Sequence, residues 1–380
     1  MVKKTGEKGF LLEELLRAYF LRSGIYAIRS VPLRLQGDDL TDIDLWLYER
    51  PTGSSRRRQI VDVKSKLKPK AIERLLWTKG LYELLGVDGA YVATTDNRLV
   101  LKQISSRLGV SILDGSDLKR MSESEKILFS DRLSEESFDN LIKAVDKGRR
   151  NKNLQNSYHD LKAALIDEFG ASTVNRALEH FSSFSRFIAS SHPGNSAAEA
   201  GLRLSYLAAS ITAIALDFSL AKIPFKSAEE RRKAIISVIR YGEDDESNGL
   251  ERVRIAAALV EKYAPGGRAI SQSMINAVRE DYARIPAEII ADHILIHLKN
   301  DGLYRVARTL ESEAFGVVLR PFDELSVEEK SFLGVLMDFC GVERDLFAGS
   351  WSGKETATNK ETHYEIDNES SSLFNQTNRK

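Results

Sequence analysis

The chain has 380 residues, is 42% apolar and carries a formal net charge of zero. This length favours two domains over one, and the balanced charge excludes a chain that is basic throughout. A single cysteine, Cys340, excludes an intramolecular disulfide framework and a cysteine-based zinc site.

Met1-Val2-Lys3-Lys4 leads into a charged segment, which does not read as a signal peptide. Phe10, Leu11, Leu15, Ala18, Tyr19 and Leu21 recur at helical spacing, so Lys8–Arg22 is expected to be a helix, ended by Gly24. A first strand follows within Ile25–Leu35. Two runs then alternate with period two: Asp42–Tyr48 and Gln59–Ser65. In the first, Ile43, Leu45 and Leu47 share one face and Asp44 lies opposite. In the second, Val61 and Val63 share a face, with Asp62 and Lys64 opposite. The polar stretch Arg50–Arg58 reads as the turn of a hairpin, which puts Asp44 across from Asp62 or Lys64. A one-residue slip would drive the charged set into the core, so the pattern specifies the register. Beyond it come a helix over Pro69–Leu85, a strand over Ala90–Thr95, a helix over Leu99–Leu108 and a short strand over Val110–Leu113.

Two carboxylates on one strand face offer the hard oxygen donors that suit Mg²⁺ or Mn²⁺. Such an ion polarises a phosphoryl oxygen and acidifies a bound water. Lys64, two residues past Asp62, points to the same side and can steady the attacking water or the developing charge. Glu13 completes the set if it faces the sheet rim; its neighbour Glu14 lies about 100° around the helix. Asp42 competes with Asp44 for the ion. Basic residues flank these acids: Arg56-Arg57-Arg58 in the turn, and Lys66 and Lys68 after Lys64. Residues 1–130 hold 23 Lys and Arg against 17 Asp and Glu, a local excess of the kind that phosphates attract. Lys79 could also reach a phosphate, although a solvated lysine is the simpler reading.

Gly9-Phe10-Leu11-Leu12-Glu13, Asp42-Ile43-Asp44 and Ile60-Val61-Asp62-Val63-Lys64-Ser65 together resemble the PD-(D/E)xK restriction-endonuclease-like nucleases. The Mrr-like and archaeal Holliday-junction-resolvase-like branch is the nearest, and the resemblance covers residues 5–120. It implies an α/β core with a mixed sheet flanked by helices. It also implies catalytic roles for Glu13, Asp44, Asp62 and Lys64, with the three acids as metal ligands. The activity implied is a Mg²⁺- or Mn²⁺-dependent endonuclease, acting on DNA rather than RNA. The third-strand acid here is Asp, where Glu is commoner in that branch. The alternative is a nuclease-fold subunit without catalysis, binding nucleic acid or serving as a scaffold.

From Ser122 onward, strand patterns give way to 3.6-residue spacing, and an all-helical region is expected. The expected divisions are a nuclease domain over 1–121, a helical connector over 122–153, a helical targeting or interaction domain over 154–351 and a disordered tail over 352–380. The longest apolar run, Leu202–Leu220, contains Arg203, Ser205, Ser210, Thr212 and Asp217 and reads as a buried helix, not a membrane span. These features point to the cytoplasm. The helical domain is expected to dock a protein partner or a second copy of the chain, as in multi-component antiviral or restriction systems. His293 and His297, four apart beside Asp292, lack the glutamate of a zinc-protease motif and read as core or interface histidines.

Overall fold

The computed structural model describes residues 3–35, 38–64, 70–124, 131–148, 153–243, 245–298 and 300–352. The chain divides into two compact units. One takes in the chain up to Ile166 together with Phe315–Leu319; the other takes in Asp167–Ala314 and Arg320–Ser352.

The first unit opens with α1 (Lys3–Arg22), β1 (Tyr26–Leu35), β2 (Asp38–Glu49) and β3 (Arg57–Lys64). After β3 come α2 (Ala71–Leu85), β4 (Gly89–Thr94), α3 (Leu99–Leu108), β5 (Ser111–Leu113) and α4 (Gly115–Ser124). The five strands lie in the order β1-β2-β3-β4-β5. The first two pairings are antiparallel and the last two parallel, so the sheet is mixed. Gly86 and Gly109 end α2 and α3 in left-handed conformation, where a side chain would be strained.

Strand alternation builds the main core. Leu45 and Leu47 of β2, and Val61 and Val63 of β3, meet Leu12, Leu15, Leu16 and Phe20 of α1 and Leu118 of α4. The opposite face is covered as well. Trp46, Ile60 and Val92 are buried there, and Trp46 stacks on Tyr48 with ring centroids 6.1 Å apart. α2 packs against β3 and β4 and takes no part in the α1-side cluster, so it lies over this second face.

The expected boundary at 121 falls inside the first unit. α5 (Glu135–Lys147) and α6 (Leu154–Ala163) belong to it, and α6 packs against β1. The reason is a set of long-range contacts that periodicity cannot report. Phe138 of α5 stacks on Phe315, with centroids 4.6 Å apart, and the Leu133 N–H donates to the Phe315 carbonyl at 2.7 Å. A piece of chain ending at 150 would lack both α6 and that returning segment. Residues 149–152 of the expected linker, and the tail beyond Ser352, lie outside the described residues.

The second unit is helical, as expected. It comprises α7 (Ala171–Ala189), α8 (Ser196–Leu220), α9 (Ala228–Tyr241), α10 (Glu246–Gly249), α11 (Glu251–Tyr263), α12 (Gly267–Ala283), α13 (Ala287–His297), α14 (Gly302–Phe315), α15 (Val327–Cys340) and α16 (Arg344–Gly349). The last residue of α14 is already part of the first unit. α8 is long and apolar enough to span a membrane, but 94% of its most apolar window is buried inside the protein, against α7 above all.

Candidate active site

The hairpin register decides which charged residues meet. Leu45 pairs with Val61 and Trp46 with Ile60, so the next pair along is Asp44 with Asp62. The ladder stops there. The Val63 N–H donates instead to the Asp44 carboxylate at 2.6 Å, and that carboxylate's other oxygen takes no hydrogen bond from the described residues. The open end of β2–β3 thus presents Asp44, Asp62 and Lys64 on the α2 side, at the rim of a covered face. Asp42 is exposed and pairs with Pro32 of β1, so it is Asp44 that stands beside Asp62.

Burial pushes the Asp44 carboxyl up to about 6; the Val63 N–H pulls the other way, and Asp62 adds to the rise. Asp62 is 8% exposed and carries a counter-charge. Arg74, one turn into α2, grips it with two hydrogen bonds, Nε to Oδ2 at 2.9 Å and Nη2 to Oδ1. Lys64 is half-buried and close enough to Asp44 to favour its ionised form.

Glu13 stands apart from this trio. It is held by Arg29 of β1, whose Nη2 lies 2.8 Å from the Glu13 carboxylate. The Arg29 side chain has no solvent exposure and also meets Glu14 and, at 2.6 Å, Glu136 of α5. Burial pushes Glu13 up to about 7 against the pull of Arg29, and Asp44 contributes to the rise. The two acids therefore interact through space without touching. Glu14 turns toward α5, where it accepts the Glu135 N–H at 2.8 Å. Among the described residues, no three His, Cys, Asp or Glu side chains are gathered as a metal cage. The donor chemistry nevertheless fits a hard cation: Asp44 is a shielded carboxylate with a free oxygen, repelled by a second carboxylate across the hairpin.

The three arginines of the run are placed differently. Arg56 turns back on its own loop, with Nη1 donating to the carbonyls of Thr52 at 2.9 Å, Gly53 at 3.2 Å and Ser55 at 2.9 Å. Arg58 ties the hairpin to the turn after α2, through the Gly86 carbonyl at 2.6 Å and the Asp88 carboxylate. Arg57 alone is exposed. Lys66 and Lys68 lie outside the described residues. Lys79 pairs with Glu83 at 2.6 Å and lies over the Tyr82 ring, which occupies its charge.

Sequence reasoning missed Arg29, Arg74 and Glu136. Arg29 did carry a signal: a charged residue inside the apolar run Tyr26–Val31 has to be paired if it is buried. Arg74 and Glu136 sit on amphipathic helices, where charge is ordinary. His293 is buried against Phe332, with His297 5.0 Å away; burial, then His297, pushes it down to about 4. Asp292 is engaged by Arg232, so this group forms a packed core edge. Cys340 is half-buried, and burial pushes its thiol up to about 11.

Comparison of the chain with protein-family models, with curated proteins and with solved structures gave no match.

Proposed function

We propose that the first unit is a divalent-metal-dependent endonuclease of the PD-(D/E)xK type, acting on DNA in preference to RNA. The observation that carries this reading is the juxtaposition of Asp44 and Asp62 one step beyond the last ladder pair of the hairpin, with Lys64 on the same face. The helix, three-strand meander, helix and parallel strand that frame it follow the order such nucleases use. Asp44 and Asp62 would hold Mg²⁺ or Mn²⁺, with Glu13 completing the acidic set. The ion would polarise the scissile phosphoryl group and acidify a water. Lys64 stabilises the developing negative charge. The helical unit supplies targeting or a docking surface for a protein partner or a second copy, in an antiviral or restriction setting.

The test is nicking of supercoiled plasmid by purified protein with Mg²⁺ or Mn²⁺. Wild type is expected to nick. Asp62→Asn and Lys64→Ala are expected to be silent while keeping wild-type circular dichroism. Equal cleavage by all three proteins would overturn the assignment.

A second reading has its own support. The Arg74 guanidinium already neutralises Asp62, as it would in a nuclease-fold subunit that binds nucleic acid or acts as a scaffold without cleaving it. Tight plasmid binding with no metal-dependent nicking would favour that reading.

A further inference from the structure

Arg74 sits in an unusual place for a structural brace. Its guanidinium spans the Asp62 carboxylate on one side and lies 5.7 Å from the centre of the Trp77 ring on the other. The Arg74 side chain is 26% exposed and that of Asp62 only 9%, so Arg74 is the more accessible partner of the pair. Trp77 is 46% exposed, whereas Trp46 and Trp351 are buried. The two-pronged geometry that matches a carboxylate also matches a phosphate, and a planar guanidinium keeps its stacking partner while changing anions.

We propose that Arg74 is a ligand for the substrate phosphodiester, stored on Asp62 until substrate and metal ion arrive. The inference rests on the metal-dependent reading above and adds an element of control to it. With its charge neutralised by Arg74 on both oxygens, Asp62 is a weakened donor to a cation, and the guanidinium repels a metal ion brought to the same carboxylate. A divalent ion that takes Asp62 releases Arg74 toward the phosphate, and a phosphate that takes Arg74 releases Asp62 toward the ion. Each ligand removes the competitor of the other, so their affinities are coupled reciprocally. Without nucleic acid the site loads metal poorly, which restrains stray hydrolysis.

The experiment uses the full chain and two binding measurements that do not need turnover. Mn²⁺ is titrated calorimetrically in the absence of nucleic acid, and a fluorescein-labelled DNA duplex is titrated by anisotropy in EDTA. Arg74→Gln is expected to bind Mn²⁺ roughly tenfold more tightly than wild type, the scale of one charged hydrogen-bonded partner removed. Asp62→Asn is expected to bind the duplex several-fold more tightly in EDTA, because Arg74 is released. That gain must vanish when Asp62→Asn is combined with Arg74→Gln, which separates a freed guanidinium from a general loss of negative charge. Arg74→Lys keeps the charge without the fork and should fall between wild type and Arg74→Gln for the duplex.

Unchanged or weaker Mn²⁺ binding by Arg74→Gln, or a duplex gain that survives the double replacement, would overturn the proposal and leave the metal-dependent reading standing. If neither wild type nor Arg74→Gln binds Mn²⁺, both fall together.

Discussion

Each unit buries an arginine completely, and the two are used differently. In the helical unit, Arg203 of α8 meets the Glu199 carboxylate a turn away at 3.0 Å and donates to the Ala314 carbonyl at 2.9 Å. Burial lowers its pKa, with Glu199 as the main offset. In the first unit, burial also works against the Arg29 charge, but Glu14, Glu136 and Glu13 outweigh it and raise its pKa. Arg29 there meets three acids, sharing Glu14 with Arg17; Asp44 and Asp62 belong to the same unit, with Asp62 held by Arg74. Where several shielded carboxylates gather, burial and mutual repulsion hold some of them nearer their protonated form, as Glu13 and Asp44 show.

The largest test of this contrast removes the two arginines. Arg29→Met leaves three acids without their shared partner and is expected to destabilise the first unit by about 3–5 kcal/mol. Arg203→Met combined with Glu199→Leu removes a complete pair and is expected to cost only about 1–2 kcal/mol, mostly for the stranded Ala314 carbonyl. Urea unfolding of the full chain measures both. Similar costs would mean that the gathering of acids in the first unit is not felt.

A middle-sized effect comes from Asp44. Its carboxyl titrates near 3.8 when unperturbed and is pushed up to about 6 in the folded protein. The folded state therefore holds more protons than the unfolded chain between those values. Stability is full below that window, falls as pH rises through it, and is level above. Glu13, raised from 4.5 to about 7, extends the fall toward neutrality. Asp44→Asn keeps an acceptor for the Val63 N–H and is expected to stabilise the metal-free protein on the order of 2 kcal/mol at about pH 8. It should have little effect at about pH 4, where the native carboxyl is already protonated. Thermal melts at the two pH values give the answer, and an equal shift at both would show that Asp44 carries no trapped proton.

The smallest effect divides the arginine run. Arg57→Ala is expected to lower the salt slope of duplex binding by about one phosphate contact. Arg56→Ala should leave that slope unchanged, since its guanidinium is committed to loop carbonyls. A slope change for Arg56→Ala equal to that for Arg57→Ala would restore the run as a single patch.

Much of the first unit can be read from pattern because its information is local. Period two in Asp42–Tyr48 and Gln59–Ser65 brought Asp44 toward Asp62, and the helices expected to stop at Leu85 and Leu108 do stop there. The second covered layer was not read from the pattern: Trp46 and Ile60 alternate away from α1 and are buried under α2. The end of the unit was not legible. α5 and α6 have the same amphipathic spacing as the helices after them, and what assigns them is contact with residues distant in sequence. Arg29 meets Glu136 across 107 positions, and Lys162 donates to the Arg29 carbonyl across 133. Periodicity carries no trace of such pairs. Pattern could not divide the arginine run for a related reason: whether a turn cation faces solvent depends on the carbonyls that the turn itself exposes.

The return of Phe315–Leu319 to the first unit has a consequence for the order of events at the ribosome. Phe315 stacks on Phe138, lies 4.5 Å below the Arg17 guanidinium and hydrogen-bonds the chain just before α5. Arg17 in turn pairs with Glu14, the neighbour of Glu13. The wall behind the acidic groups is thus finished by a stretch that leaves the exit tunnel only after nearly the whole helical unit has been synthesised. Amino-terminal portions of a chain usually fold first during synthesis. Here the first unit to emerge waits for a segment made about 150 residues after Ile166, and a nascent chain truncated before Phe315 would carry the acids without the scaffold that fixes them.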